Sequence, residues 1–164
     1  MNCLVRGESV ENVILKQIEI QGSKICYRYT VSDGLKNFFT EEKYYIDYRK
    51  DNIPILMGNV PYGILSIPFV TNVLPIIWLN NAELILEELD ADFYESISEF
   101  KKGYINMYPK ELFLGKITVG KIIKETLSDS AKCAMFFSGG VDSWCTLVNH
   151  MEENPDLIAL WGSD

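Results

Sequence analysis

The chain has 164 residues, of which 48% are hydrophobic and 23% are charged. This is the composition of an ordinary folded protein and argues against general disorder, and the length suits one domain or one domain plus part of another. With 15 basic and 23 acidic residues the net charge is −8, and no basic run occurs. We therefore expect no nucleic-acid or membrane partner for this segment.

The cysteines and the first residues bear on cellular location. Cys3, Cys26, Cys133 and Cys145 are scattered without CxxC pairing, which argues against a zinc site or a disulfide framework, and Cys3 is interpreted as structural. The start, MNCLVRGESV, has no apolar segment of signal-peptide length. These features predict a cytoplasmic protein.

The first part of the chain is predicted to form strands. NVILKQIEI and KICYRYTV are rich in β-formers and partly alternating, and Gln21-Gly22-Ser23 between them predicts a hairpin turn with Gly22 at positive φ. Asp33-Gly34 predicts a second turn, and KYYIDY a further short strand.

Residues 60–79 are apolar enough to raise the question of a membrane span. Pro61, Pro68 and Pro75 and several polar side chains make a buried, kinked core segment the favoured interpretation. Asn59 is a candidate helix cap with Pro61 in the first turn, and Pro68 and Pro75 are expected to bend or interrupt the helix.

A second helix is predicted after ELILEEL, a segment that fits either strand or helix. Asp90 is a candidate N-cap, and the MYP sequence at 107–109 should end the helix. The apolar residues recur on one helical face and are interpreted as core packing: Phe93, Ile97, Phe100 and Tyr104.

The segment from Gly115 to Lys121 has the G-x-x-x-x-G-K spacing of a phosphate loop. Ile122 follows where that loop needs Ser or Thr, so we interpret the match as chance, inside a strand or helix, and disfavour a GTPase or kinase. Residues 128–132 resemble a polar linker. The boundary around residues 127–131 separates an α+β domain of unknown role, residues 1–130, from residues 131–164.

The sequence SGGVDS, residues 138–143, carries the strongest functional signal. Residues 133–137 form an apolar run typical of a parallel strand buried on both faces. Residues 141–151 predict a helix with an apolar face of Val141, Trp144, Cys145 and Val148, of which Trp144 and Cys145 are expected to be core. A strand, a glycine turn and a helix are the setting of a phosphate site.

The chemistry of such a site follows from the residue types. Gly139 and Gly140 are expected to adopt backbone conformations closed to other residues and to let phosphate oxygens approach main-chain N–H groups. The first turn of the helix offers unpaired N–H groups and a partial positive charge. Ser138 and Ser143 add hydroxyls, and Asp142 suggests a cation, most plausibly Mg²⁺, between its carboxylate and the phosphate.

FFSGGVDSWCTLV resembles the PP-loop of the N-type ATP pyrophosphatases, which include asparagine, GMP and NAD synthetases, tRNA lysidine synthetase and 7-cyano-7-deazaguanine synthase. The resemblance implies a doubly wound α/β sheet that binds ATP, cleaves it between the α and β phosphates, and adenylates a small-molecule substrate for a nitrogen or sulfur nucleophile. It implies pyrophosphate binding by Ser138, Gly139, Gly140, Val141 and Ser143, Mg²⁺ at Asp142, catalytic roles for Ser138 and Asp142, and Phe136 and Phe137 near the adenosine.

Residues 157–161 form a second apolar run before Asp164, which is a candidate for a ribose or metal contact at a strand end.

The resemblance covers only residues 131–164, so the catalytic domain is expected to be incomplete. Either the protein continues, which we favour, or a partner chain or second copy completes the sheet, or the product is truncated. The alternative function is a non-catalytic module acting through protein–protein contacts. The acidic β-rich first domain makes the chain loosely similar to 7-cyano-7-deazaguanine synthase-like proteins, and His150 is not expected to be catalytic.

Overall fold

The fold is α/β, with a mixed five-stranded sheet and helices. The computed structural model describes residues 10–39, 43–48, 60–124 and 133–159. The chain divides into two compact units, Met1–Glu125 and Thr126–Asp164. The predicted linker and domain boundary lie outside the described residues.

Unit 1 contains, in chain order, β1 (Asn12–Gln21), β2 (Lys24–Val31), a 3₁₀ helix (Asp33–Phe38), β3 (Lys43–Asp47), α1 (Tyr62–Leu79), β4 (Glu83–Asp90), α2 (Ala91–Met107) and β5 (Lys116–Ile123). Unit 2 contains β6 (Ala134–Phe136), α3 (Val141–Asn149), a short 3₁₀ helix (Met151–Glu153) and β7 (Asp156–Ile158).

The sheet of unit 1 has the strand order β3-β2-β1-β4-β5. The first three strands form an antiparallel meander, whereas β1, β4 and β5 are parallel to one another. Parallel neighbours need a crossover, which α2 provides between β4 and β5. Helices α1 and α2 meet where the ring of Trp78 contacts the ring of Phe100 edge-on, with 5.5 Å between the ring centroids.

The predicted hairpin is confirmed, and Gly22 takes the expected positive φ of 61°. The register of β1 against β2 shifts between Leu15 and Gln17. This bulge moves the apolar positions of β1 from odd to even numbers, so Leu15 pairs with Tyr29 and Ile18 with Tyr27. Val13 and Leu15 before the bulge and Ile18 after it therefore all face the core, whereas Ile20 is exposed.

Of the two predictions for the segments that follow the hairpin, one is wrong and one is confirmed. Asp33 and Gly34 do not form an isolated turn but begin the 3₁₀ helix, whose Leu35 is buried. The strand predicted from KYYIDY is confirmed as β3, antiparallel to β2.

Helix α1 is the central helix of unit 1, and it is uninterrupted although Pro68 and Pro75 lie inside it. Of the two expected effects, a bend or an interruption, the interruption does not occur, because tertiary burial outweighs the local cost of each proline. Its buried residues are Gly63, Ser66, Phe69, Val70, Val73, Leu74, Ile77 and Trp78. Among the described helices, α1 alone is long and apolar enough to span a bilayer, and half of that window is buried within the fold.

The segment ELILEEL, whose sequence pattern fits either a strand or a helix, forms strand β4. This strand pairs with β1 and β5. The predicted cap of α2 is confirmed, because the Phe93 amide donates to Oδ1 of Asp90 at 2.9 Å. The helix ends at Met107, as predicted from Pro109. Its predicted stripe faces the core, with Ile97 buried and Phe93, Phe100 and Tyr104 partly buried.

The decoy phosphate-loop sequence forms strand β5, preceded by Gly115. The prediction that this G-x-x-x-x-G-K match lies inside a strand or helix is confirmed. Gly120 lies inside the strand, where a Cβ would stand 2.8 Å from the Glu87 carbonyl oxygen. The glycines of this sequence thus serve close backbone packing.

Candidate functional site

The SGGVDS loop, residues 138–143, lies between the end of β6 and the start of α3. This is the predicted order of strand, turn and helix. Strand β6 is one residue shorter at each end than predicted, and α3 ends at Asn149 rather than at Met151. Strands β6 and β7 are parallel, and the Phe137 amide donates to the Ile158 carbonyl at 2.8 Å. The loop therefore starts from an anchored strand end.

Only one of the two glycines has a backbone that requires glycine. Gly139 has φ +79°, in the left-handed region, and a Cβ there would meet no atom within 4 Å. Gly140 has φ −76° and ψ 169°, which any residue can adopt. The prediction of a special conformation was therefore wrong for Gly140. The space around Gly139 is open, so an anion could approach the main chain on this side.

The start of α3 presents unpaired amide groups. Its N-cap is Gly140, and no side chain caps the helix. The Ser143 hydroxyl donates to the Gly140 carbonyl at 2.8 Å. Oγ of Ser138 accepts from the Gly140 amide at 3.4 Å and lies 3.4 Å from Oγ of Ser143. The Ser138 hydroxyl thus lies beside an amide at the positive end of the helix, and the Ser143 hydroxyl lies next to it.

Asp142 is exposed in the first turn of α3. Within the described residues, its carboxylate makes no hydrogen bond or ion pair, whereas its backbone carbonyl accepts from Oγ1 of Thr146 at 2.9 Å. An exposed carboxylate of this kind suits Mg²⁺, which prefers oxygen ligands and usually keeps waters and phosphate oxygens in its shell. In the part of the chain described, no three His, Cys, Asp or Glu side chains are grouped to hold a metal by themselves.

The two aromatic residues before the loop, at the end of β6, lie on opposite sides of the chain. The Phe137 ring packs edge-on against Trp144, with 5.1 Å between centroids and an interplanar angle of 82°. Phe136 alternates to the other face and is 68% exposed.

Several side chains of unit 2 that were predicted to be buried are exposed. Trp144 is 54% exposed and Cys145 is also exposed, so the prediction that they are core residues was wrong. Ala134 and Phe136 are exposed too, and the expected burial of β6 on both faces is not observed. The physical reason is that the sheet formed by β6 and β7 has two strands, which offer too little surface to cover the helix and both faces.

A second cluster lies at the other end of α3. Nδ1 of His150 is 2.6 Å from Oε1 of Glu153, and the same carboxylate accepts from the Cys133 thiol. The hydrogen bond from His150 lowers the pKa of Glu153, and the bond to Glu153 raises the pKa of Cys133. Sequence reasoning missed this cluster, although the i,i+3 spacing of His150 and Glu153 was a visible signal. Asp164 and Cys3 lie outside the described residues.

Comparisons with known proteins do not identify a family for this chain. No protein-family model matches the chain, and no curated protein or solved structure matches it significantly.

Proposed function

We propose that the SGGVDS loop binds the pyrophosphate part of ATP together with Mg²⁺. In this proposal the chain contributes to cleavage of ATP between the α and β phosphates, which adenylates a small-molecule substrate for attack by a nitrogen or sulfur nucleophile. The observation that carries the proposal is Gly139 at φ +79°, placed between a strand end and an uncapped helix start within the sequence SGGVDS.

The phosphate contacts would come from the main chain and two hydroxyls. Amides in the first turn of α3, Val141 among them, have no partner within the helix and carry part of the helix dipole. Ser138 and Ser143 flank this turn, and their hydroxyls can rotate to donate to an anion. A pyrophosphate at this position would replace the weak bonds that these groups make to one another.

Asp142 would hold Mg²⁺, and Ser138 and Asp142 would be the catalytic residues in contact with the reacting phosphates. When bound, Mg²⁺ would neutralise phosphate charge as ATP is cleaved. The Asp142 carboxylate is exposed and makes no ion pair within the described residues, so it is free to take a cation. Phe136 and Phe137 would lie near the adenosine, as the resemblance implies.

The fold that goes with this function is the start of a doubly wound parallel sheet, of which β6, α3 and β7 would be the first β-α-β unit. Phe136, Leu157 and Ile158 are exposed apolar side chains of this unit. Further strands and helices, from a longer protein, a partner chain or a second copy, would cover them. In this proposal those further elements form the catalytic domain together with β6, α3 and β7.

ATP–pyrophosphate exchange by the complete protein, with a supplied acceptor substrate, tests the proposal, together with binding of Mg·ATP measured by calorimetry. We expect Asp142→Ala and Ser138→Ala each to weaken Mg·ATP binding or exchange about tenfold or more, the size of a lost charge-assisted hydrogen bond. Asp92→Ala is the matched control, because Asp92 is likewise an acidic residue in the first turn of a helix, α2. Undiminished exchange in both loop variants would refute the assignment.

A second candidate function is a non-catalytic module that acts through protein–protein contacts. The observation that favours it is the exposed apolar face of α3, where Val141 is 85%, Trp144 54% and Val148 61% exposed. Apolar side chains exposed together are typical of an interaction surface. Sedimentation of the chain over a range of concentrations separates the candidates: a monomer at all concentrations that binds Mg·ATP contradicts the module.

A further inference from the structure

The two residues that flank the SGGVDS loop contact each other. Phe137 immediately precedes Ser138, and Trp144 immediately follows Ser143. Their rings pack edge-to-face at 5.1 Å and 82°, within the favourable geometry of aromatic pairs. The ring contact therefore closes the loop at its two ends.

We propose that this pair, the aromatic clasp of Phe137 and Trp144, holds the loop in its phosphate-binding conformation before any ligand arrives. Phe137 and Trp144 are thus positioning residues for the site. The expected effect of the clasp on pyrophosphate affinity rests on the proposed function. Its effect on the order of the loop does not depend on any ligand.

The hydrogen bonds inside the loop do not hold its first two residues in place: the 2.8 Å bond from the Ser143 hydroxyl to the Gly140 carbonyl lies at the start of α3 and involves neither Ser138 nor Gly139. The contacts of the Ser138 hydroxyl are 3.4 Å long and exposed to solvent. The left-handed residue, Gly139, loses more backbone entropy than any other residue type when it is ordered. An ordered loop therefore needs a constraint from outside residues 138–143.

The clasp provides that constraint from two anchored positions. The Phe137 amide is bonded to the Ile158 carbonyl at 2.8 Å, which ties one side of the clasp to β7. The Trp144 amide donates to the Gly140 carbonyl at 3.1 Å, which ties the other side to the first turn of α3. With both rings in place, the distance between the strand end and the helix start has little freedom.

Loop order in the ligand-free 164-residue chain gives the first test, measured as NMR order parameters of the Gly139 and Gly140 amides. We expect values of about 0.85 in the wild-type chain and below about 0.6 in Phe137→Ala and Trp144→Ala. Trp144→Phe should keep the wild-type values because it retains a ring. Val148→Ala, which truncates an exposed apolar residue of the same helix, is the control for a general loosening of α3.

Pyrophosphate binding with Mg²⁺, measured by calorimetry, gives the second test. Pyrophosphate has no base, so a lost contact to adenosine cannot explain a change. We expect each alanine variant to weaken binding roughly three- to tenfold, the range of one aromatic pair. The double variant should be no weaker than the single ones, because either change opens the clasp. Trp144→Phe should restore affinity.

The outcomes separate the two proposals. Unchanged order parameters in both alanine variants, or additive losses of affinity in the double variant, would overturn the clasp. If the wild-type chain does not bind Mg²⁺ and pyrophosphate, the proposed function fails, and the order parameters alone still decide whether the clasp orders the loop.

Discussion

A Cβ on Gly115 would stand 2.0 Å from the carbonyl oxygen of Ile77, a distance that no real side chain can have. Gly115 is buried directly before β5, and its amide donates to the Trp78 carbonyl at 3.2 Å. The end of α1 and the start of β5 therefore approach so closely that only glycine fits. This relationship explains the first glycine of the decoy phosphate-loop sequence without any ligand.

We expect Gly115→Ala to lower the free energy of unfolding of unit 1 by about 3 kcal/mol, the cost of forcing atoms into a packed site. Urea denaturation followed by circular dichroism measures the change. Gly103→Ala is the matched control: Gly103 is exposed in α2 with no atom near its Cβ position, so the same substitution should stabilise by about 0.5–1 kcal/mol. Equal effects at both sites would contradict the packing argument.

The cap of α2 gives a second prediction. Oδ1 of Asp90 accepts from the Phe93 amide, and Asp90 is 7% exposed. Asp90→Ala should cost about 1 kcal/mol because the amide loses its partner. Asp90→Asn keeps an oxygen in place and should cost much less. Thermal and urea unfolding of the three proteins measure the difference, and an Asn variant as unstable as the Ala variant would speak against capping.

The two loop glycines should respond differently to alanine. Gly139→Ala places a Cβ in the left-handed region and should destabilise the loop conformation by about 1 kcal/mol, which would weaken Mg²⁺–pyrophosphate binding roughly fivefold. Gly140→Ala meets no backbone strain, and its Cβ would lie 3.5 Å from Oγ of Ser138, an ordinary contact. Calorimetry with pyrophosphate compares them. A larger loss in Gly140→Ala would mean that close approach of the ligand, not backbone conformation, sets the requirement for glycine.

The His150–Glu153 pair gives a prediction on pH. The pKa of Glu153 lies below its usual value of 4.5, first because of the hydrogen bond to His150 and then because of that to Cys133. Since the folded pKa is the lower one, the stability that comes from the lowered pKa of Glu153 is present above the unfolded value of about 4.5 and is lost as the pH falls through the folded pKa.

NMR titration of the Glu153 side-chain carboxyl carbon measures this pKa directly. His150→Gln should raise the midpoint toward the usual value, because the hydrogen bond from the imidazole ring is gone. In the same variant the midpoint of a carboxyl group far from the pair should not move. An unchanged Glu153 midpoint would show that the two side chains do not interact in solution.

Much of the fold was predictable because its signals are local. The turn at Gly22, the cap at Asp90 and the stop before Pro109 each depend on the backbone preferences of a few neighbouring residues. The strand, glycine turn and helix around residues 138–143 were predicted for the same reason.

Features that depend on distant contacts were not predictable in this way. The segment of β4 has a pattern that suits strand or helix, and pairing with β1 and β5 decided for strand. The prolines of α1 disfavour a helix locally, yet packing against the sheet and α2 keeps it intact.

The sequence by itself determined the order of strand, glycine turn and helix around the candidate loop, because an apolar run, paired glycines and an amphipathic segment act through local backbone preferences. Only the tertiary structure decided that Gly140 is conformationally ordinary, that Phe137 meets Trp144, and that Gly115 serves packing. Those three facts depend on where a neighbouring segment lies in space, and the separation of residues along the chain carries no such information.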